Sequence, residues 1–435
     1  MSSTAELKRT LSPLMVWGLG VGYVISGNYF GWNLGLEKGG TLGMAIALGF
    51  IITMYLTFTF SYTELACSIP KAGGAFDYAS RALGKDIGFL TGMAQNIEFI
   101  FAPPAIAFGI GAYFQIFFPT VSVTAISIGA YFIFFLLNVS GIKLAATFEL
   151  VITFIAVGAV LIFCLNTSTQ IQWTNLQQNS FPFGWAGVFA SIPFAIWFFL
   201  GIEGVANLAE EAINPKRTIM IGFLSAIGTL IFLCLFTYIS SVGIAGWEAI
   251  VFKTDGTASD SPLPLAMARL SGTGTWQYKA VVTAGLFGLV ASFHGLMLAG
   301  GRSTFEFGKV GFAPALLGKV HARFQTPANA LFVNMVIGIV ALLAGKTGEL
   351  ITLSVFGALT LYTISMISLL VLRKKEPNLP RPFVAPAYPF FPIIALLIAT
   401  FAFVALWVYN FWLGVIYFSI LSAAYFIFKV MVSAR

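Results

Sequence analysis

Apolar residues run along this chain in long unbroken stretches instead of alternating with polar ones. A helix needs about 20 mostly apolar residues to cross a bilayer. Twelve stretches are close to that length: 14–36, 42–66, 87–117, 122–140, 144–165, 186–209, 219–242, 277–301, 328–344, 349–372, 388–409 and 411–430. The pattern predicts an all-α integral membrane protein with twelve transmembrane helices in one domain over 1–435. The first stretch follows Lys8-Arg9 and is too long for the core of a cleavable signal, so it reads as a retained helix.

Composition agrees. Only 9% of residues are charged, against 58% hydrophobic and 16% aromatic. A soluble domain carries about a quarter charged residues on its surface, so a soluble enzyme and a disordered chain are excluded. The net charge of +7 fits basic cytoplasmic loops better than nucleic acid. With the N-terminus inside, eighteen of the 23 Lys and Arg fall on the inner side, Lys8, Lys143 and Arg435 among them. Only Lys38, Lys253, Arg269, Lys279 and Lys346 stay outside, which predicts two cytoplasmic termini. The loop 166–185 has no charge, as an outer link would. Cys67, Cys164 and Cys234 sit in apolar surroundings with neither disulfide nor metal spacing. With two histidines besides, no metal, no cofactor and no enzymatic activity are expected.

Two of the apolar stretches are interrupted. The first breaks at Ser26-Gly27-Asn28 and the sixth at Gly201-Ile202-Glu203-Gly204. Unwound backbone is tolerated at membrane depth only where it lines a cavity. Paired broken helices at corresponding places in two halves point to a secondary transporter site. The expected blocks are 14–165 and 186–372, five helices each, with two further helices over 388–430.

Ionisable groups inside apolar stretches are costly unless used or paired. Glu203 stands at the sixth-helix break, where a carboxylate can bind a cation, take up a proton, or pin the broken backbone. Glu98 lies well inside the third stretch among Ile97, Phe99, Ile100 and Phe101, ahead of Pro103-Pro104. It needs a partner from elsewhere, either a cationic substrate or a neighbouring helix. Glu149 and Glu64 lie near cytoplasmic helix ends and are expected to pair with loop Lys or Arg. His294 is either a proton relay or a hydrogen-bonded packing residue, since imidazole titrates near neutrality. Trp197 and Tyr29 flank the two breaks, where an aromatic face attracts ammonium.

At these residues the chain resembles the amino acid–polyamine–organocation permeases over nearly its whole length. The first-helix signature stands here as Ile25-Ser26-Gly27-Asn28-Tyr29 with Gly39-Gly40, and the second as Glu64-Leu65-Ala66, Pro70 and Gly73-Gly74-Ala75-Phe76-Asp77-Tyr78. The third is Trp197, Gly201-Ile202-Glu203 and Glu210-Glu211-Ala212-Ile213-Asn214-Pro215-Lys216-Arg217. The fourth is Gly311-Phe312-Ala313-Pro314 with His321, Thr326-Pro327 and Ala330. The resemblance implies a 5+5 inverted repeat with discontinuous helices 1 and 6, alternating access, and a midplane site. It further implies that the first break holds a substrate carboxylate, the sixth-helix carbonyls hold an amine, Trp197 covers the site and Glu203 responds to protons.

Departures from the family pattern narrow the substrate. Ile25 and Asn28 crowd the place of a carboxylate, Ala156 stands where many relatives carry lysine, and Glu98 adds an acid to the side-chain pocket. The string from Ser26 to Asn33 resembles the bacterial ethanolamine permease branch. The expectation is a transporter of the cytoplasmic (inner) membrane that imports ethanolamine or a similar small organic cation, coupled to protons. Its expected site comprises Ser26, Gly27, Asn28, Tyr29, Glu98, Trp197, Gly201, Glu203 and His294, with Glu203, Glu98 and His294 as proton-coupling candidates. The neighbouring reading is an amino acid or polyamine permease or exchanger. An embedded enzyme lacks a nucleophile–base pair, and a channel lacks a continuous polar lining.

Overall fold

The computed structural model describes residues 9–433. Lys8 and Arg435, counted above on the inner side, lie outside the described residues, as does the side chain of Lys143. In chain order the helices are α1 (Pro13–Val24), α2 (Ser26–Tyr29), α3 (Asn33–Ser68), α4 (Ala75–Leu83), α5 (Lys85–Phe117) and α6 (Val123–Val139). Next come α7 (Ile142–Ser168), α8 (Trp173–Gln177), α9 (Gly184–Trp197), a 3-10 segment (Ile202–Glu211) and α10 (Pro215–Ala245). The chain continues through α11 (Trp247–Val251), α12 (Pro262–Ser271), α13 (Trp276–Lys309), α14 (Ala328–Ala344), α15 (Thr347–Lys375), α16 (Phe390–Tyr409) and α17 (Phe411–Ser433).

All twelve apolar stretches fall on these helices. Among the described residues nine helices are long and apolar enough to span a membrane, and α1, α6 and α14 are shorter apolar helices. The distribution of polarity is that of a protein in lipid. Large apolar side chains such as Leu136 (63% exposed) and Leu397 (64%) face outward, while Glu98, Glu149, Glu203 and His294 are fully buried. Buried ionisable groups facing a bundle interior are costly and mark function.

Local chemistry sets both breaks. Ser12 caps α1 by accepting from the Met15 amide, with Pro13 in the first turn. Ser26, Gly27 and Asn28, expected to be unwound, lie instead in the short helix α2. The ladder is interrupted beside them at Ile25, where Ser292 Oγ stands between the Ser26 amide and the Gly22 carbonyl. The chain leaves helical geometry only at Phe30, whose backbone is extended, before turning at Gly31 with φ +84°. The sixth stretch runs as α9 to Trp197, turns at Gly201 with φ +95°, and resumes as the 3-10 segment. At both glycines a Cβ would be strained, so the reversal falls there. Glycine also lets helices approach closely: Ser191 on α9 donates to the Gly35 carbonyl of α3 at 2.8 Å. Behind the breaks, α5 packs against both α13 and α15.

The end of the bundle that carries the Glu211 and Glu64 motifs is held by backbone and ionic contacts. The Thr10 and Leu11 amides donate to the Glu211 carbonyl at 2.8 and 3.0 Å, and the Ile213 amide returns to Leu11. Buried Arg302 of α13 pairs with the Glu211 carboxylate. Glu64, fully buried at the end of α3, pairs with Arg373 at 2.7 Å and Arg381 at 3.2 Å, as the basic-partner expectation required.

Candidate substrate site

The fold brings the two acids of the third and sixth stretches together. The Glu98 carboxyl on α5 and the Glu203 carboxyl on the 3-10 segment are close enough to interact electrostatically, with the Gly201 backbone beside both. Both carboxyls are fully buried, and among the described residues neither forms an ion pair. Tyr362 of α15 donates to Glu203 Oε2 at 2.8 Å, and Tyr55 of α3 meets the Tyr362 hydroxyl at 3.0 Å. Neither Glu98 oxygen, nor Glu203 Oε1, nor either polar atom of the Asn28 side chain has a further partner of ordinary geometry. Two adjacent carboxylates in a dry interior cannot both be ionised, so they hold a proton between them or receive a cation.

The first-helix break is packed and largely satisfied. The Ser26 amide donates to Ser292 Oγ at 2.8 Å, and the Asn28 amide to the Ile25 carbonyl at 3.0 Å. A Cβ on Gly27 would stand 2.5 Å from the Trp197 carbonyl, so glycine is required where α2 meets the end of α9. Trp197 packs against the break from the other side. Its indole N–H donates to the Phe30 carbonyl at 3.1 Å, and its ring meets Phe30 edge-on at 5.6 Å. Tyr29 donates its hydroxyl to the Ala156 carbonyl of α7 at 2.7 Å. Below the carboxyl pair, Gln95 donates to Asn207 at 3.1 Å, and Asn207 to the Ala72 carbonyl at 2.6 Å.

His294 does not join this cluster. Its Nδ1 lies 2.6 Å from Oε2 of Glu149 on α7. Glu149 was expected to meet a loop Lys or Arg. It meets His294 instead, because its helical register turns it inward against α1 and α13, away from the connecting loops. Tyr23 of α1 stands between the two acidic pairs, its ring against Gly204 on one side and Gly295 on the other. Sequence reasoning passed over Tyr55 and Tyr362. Their signal was a tyrosine deep in an apolar span instead of at an interfacial belt.

The comparisons with known proteins agree with this architecture. The family model described as amino acid permease matches residues 11–429. An uncharacterized transporter of Rhizobium meliloti (strain 1021) is 28% identical over 413 residues, covering 92% of this chain and 87% of the relative. A methylthioribose transporter of Bacillus subtilis (strain 168) is 28% identical over 419 residues, covering 91% and 87%. A branched-chain amino acid permease of the same organism is 26% identical over 425 residues, covering 92% and 88%. With twelve apolar stretches on helices, two broken spans and a family match over almost its full length, the chain belongs to the amino acid permease family of multi-pass membrane transporters.

Proposed function

We propose that this transporter imports ethanolamine or a similarly small organic amine by alternating access, with a proton as the coupled ion. The observation that carries the reading is the Glu98–Glu203 pair, two buried acids that face each other with no basic side chain between them. An ammonium group entering there is held by charge and displaces the shared proton toward one carboxyl. Glu203 and Glu98 are thus the coupling groups, with Tyr362 orienting Glu203. Gly201 lends its amide, Ser26, Gly27 and Asn28 form the floor opposite, and Trp197 is the cover. A monovalent cation moving inward also gains about 2.3 kcal/mol per 100 mV of membrane potential. The spans α1 to α7 and α9 to α15 form the two inverted five-helix halves, α16 and α17 trail them, and both termini face the cytoplasm of a bacterial cell.

The second reading is an amino acid permease, favoured by the branched-chain relative's name. An amino acid would use the same acids for its amine, but it also needs free amides for its carboxylate. The engagement of the Ser26 and Asn28 amides, and the contact of Gly27 with Trp197, favour a substrate without one.

Labelled ethanolamine uptake into proteoliposomes separates these readings. Saturable uptake that E98Q abolishes, that an imposed pH gradient drives at clamped voltage, and that amino acids fail to compete supports the amine symporter. Competition by amino acids with intact carboxylates moves the second reading to the front. Uptake indifferent to the pH gradient removes the proton.

A further inference from the structure

The Glu149–His294 contact is a buried ionisable pair that the substrate site leaves unused and that, unlike Glu211 and Glu64, includes no Lys or Arg. It lies where three helices meet. A Cβ on Gly22 of α1 would fall on Glu149 Oε1 and stand 2.6 Å from Thr153 Oγ1, so glycine lets the acid touch the α1 backbone. Hydroxyls tie α1 to both neighbours around it. Thr153 of α7 donates to the Gly18 carbonyl at 3.1 Å, and Ser292 of α13 donates to the Gly22 carbonyl at 2.6 Å. Glu149 Oε1 and His294 Nε2 are both buried without a partner, so the pair has spare proton-binding capacity on each side.

We infer that Glu149 and His294 form a second proton-binding site, whose proton holds α1 closed against α7 and α13. The charge count leads there. A carboxylate with neutral imidazole keeps the 2.6 Å hydrogen bond but buries one net negative charge. One added proton, on either partner, makes the pair neutral. Burying an uncompensated charge is costly, and among the described residues no Lys or Arg pairs with Glu149. Arg302, about two turns further along α13, is committed to Glu211. From α1 the titratable group facing the pair is Tyr23. From α6 come Asn138, which donates to the His294 carbonyl at 3.4 Å, and the Phe134 ring. The α10 helix meets α7 further along, at the Cys164–Thr237 contact. The closed, dry packing of α1 therefore selects the proton-loaded pair. Tilting α1 away admits water, hydrates the carboxylate and releases the proton. By linkage, losing the proton loosens α1 to the same degree.

This inference goes beyond the substrate reading and does not depend on it, so its test uses no substrate. Purified protein in lipid nanodiscs is examined at acid and alkaline pH by infrared difference spectroscopy and by hydrogen–deuterium exchange corrected for intrinsic rates. In the wild type, the difference spectrum should contain carboxyl or imidazolium bands that vanish in both E149Q and H294Q and survive in E203Q. Glutamine imitates the proton-loaded acid, so E149Q should slow alkaline exchange in α1 by about fivefold or more and remove its pH dependence. A merely structural hydrogen bond predicts the reverse, with exchange in E149Q as fast as the wild type or faster. That result, or spectra identical in wild type and H294Q, overturns the inference. If E149Q does not fold, the spectrum of H294Q decides alone.

Discussion

Replacing Gly357 with alanine perturbs the crossing of α5 and α15 beside the Glu98–Glu203 pair of the proposed substrate site. A methyl group there would stand 2.9 Å from the Glu98 amide nitrogen, 3.2 Å from Glu98 Cβ, and nearer still to the Ala94 carbonyl. Two of these three are backbone atoms, which no rotamer change can move aside. Ordinary contact begins at 3.4 Å, so the helices must part by about 0.5 Å or more. Overpacking of this kind costs about 1–3 kcal/mol. The separation also loads the site, because α5 carries Glu98 while α15 carries Tyr362, the donor to Glu203. G357A should therefore lower both the free energy of unfolding in mixed micelles and the uptake rate in proteoliposomes. G158A is the control, since nothing lies within 4 Å of a Cβ there. It should be neutral or stabilising by up to about 1 kcal/mol. If G357A unfolds at the same denaturing detergent fraction as the wild type, the reasoning about this crossing is refuted.

Three further outcomes are expected. Trp197→Phe removes the N–H that satisfies the Phe30 carbonyl, a loss of about 1–3 kcal/mol, so the uptake KM should rise about tenfold; an unchanged KM would remove Trp197 from the role of cover. Glu211→Gln strands the buried Arg302 guanidinium at a cost of about 3–5 kcal/mol, and adding Arg302→Gln should recover part of that stability in the same unfolding assay. Burial pushes the Asp77 carboxyl in α4 up to about 6 from its ordinary 3.8, against the opposing pull of Lys71. The folded state thus binds this proton more tightly than the unfolded state, so the contribution is complete below 3.8 and is lost as pH rises through about 6. D77N should flatten the fall in stability across that window, and equal slopes in both proteins would contradict it.

How far such a chain can be read without its structure depends on the range of the forces involved. Span number and the presence of two breaks are local properties, since twenty apolar residues, or a glycine beside a polar residue, declare themselves within one window. The exact place is less so, because Ser26–Tyr29 stays helical and the first break opens at Phe30-Gly31. The Glu64 pairing was legible for a related reason, since an acid at a helix end lies near basic loop residues such as Arg381. The partners of deeply buried acids are not local. Glu98 and Glu203 meet only because α5 packs beside the sixth-helix break, and Glu149 reaches His294 across 145 positions of sequence. Helical register decides each case, and a uniformly apolar helix carries almost no record of its register. In a soluble helix the polar stripe marks the outside. Here lipid and core are both apolar, so the stripe is missing and Glu149 could be assigned only by its distance from the loop. Glycine is the residue that keeps such a record. Gly22 faces Glu149, Gly295 and Gly204 face Tyr23, and Gly357 faces Glu98, each on the side where a helix must approach closely. In this transporter Gly22 and Gly357 mark where a neighbouring helix comes close enough for the Glu149 carboxyl and the Glu98 backbone to pack against it, which is the record of register that the apolar positions lack.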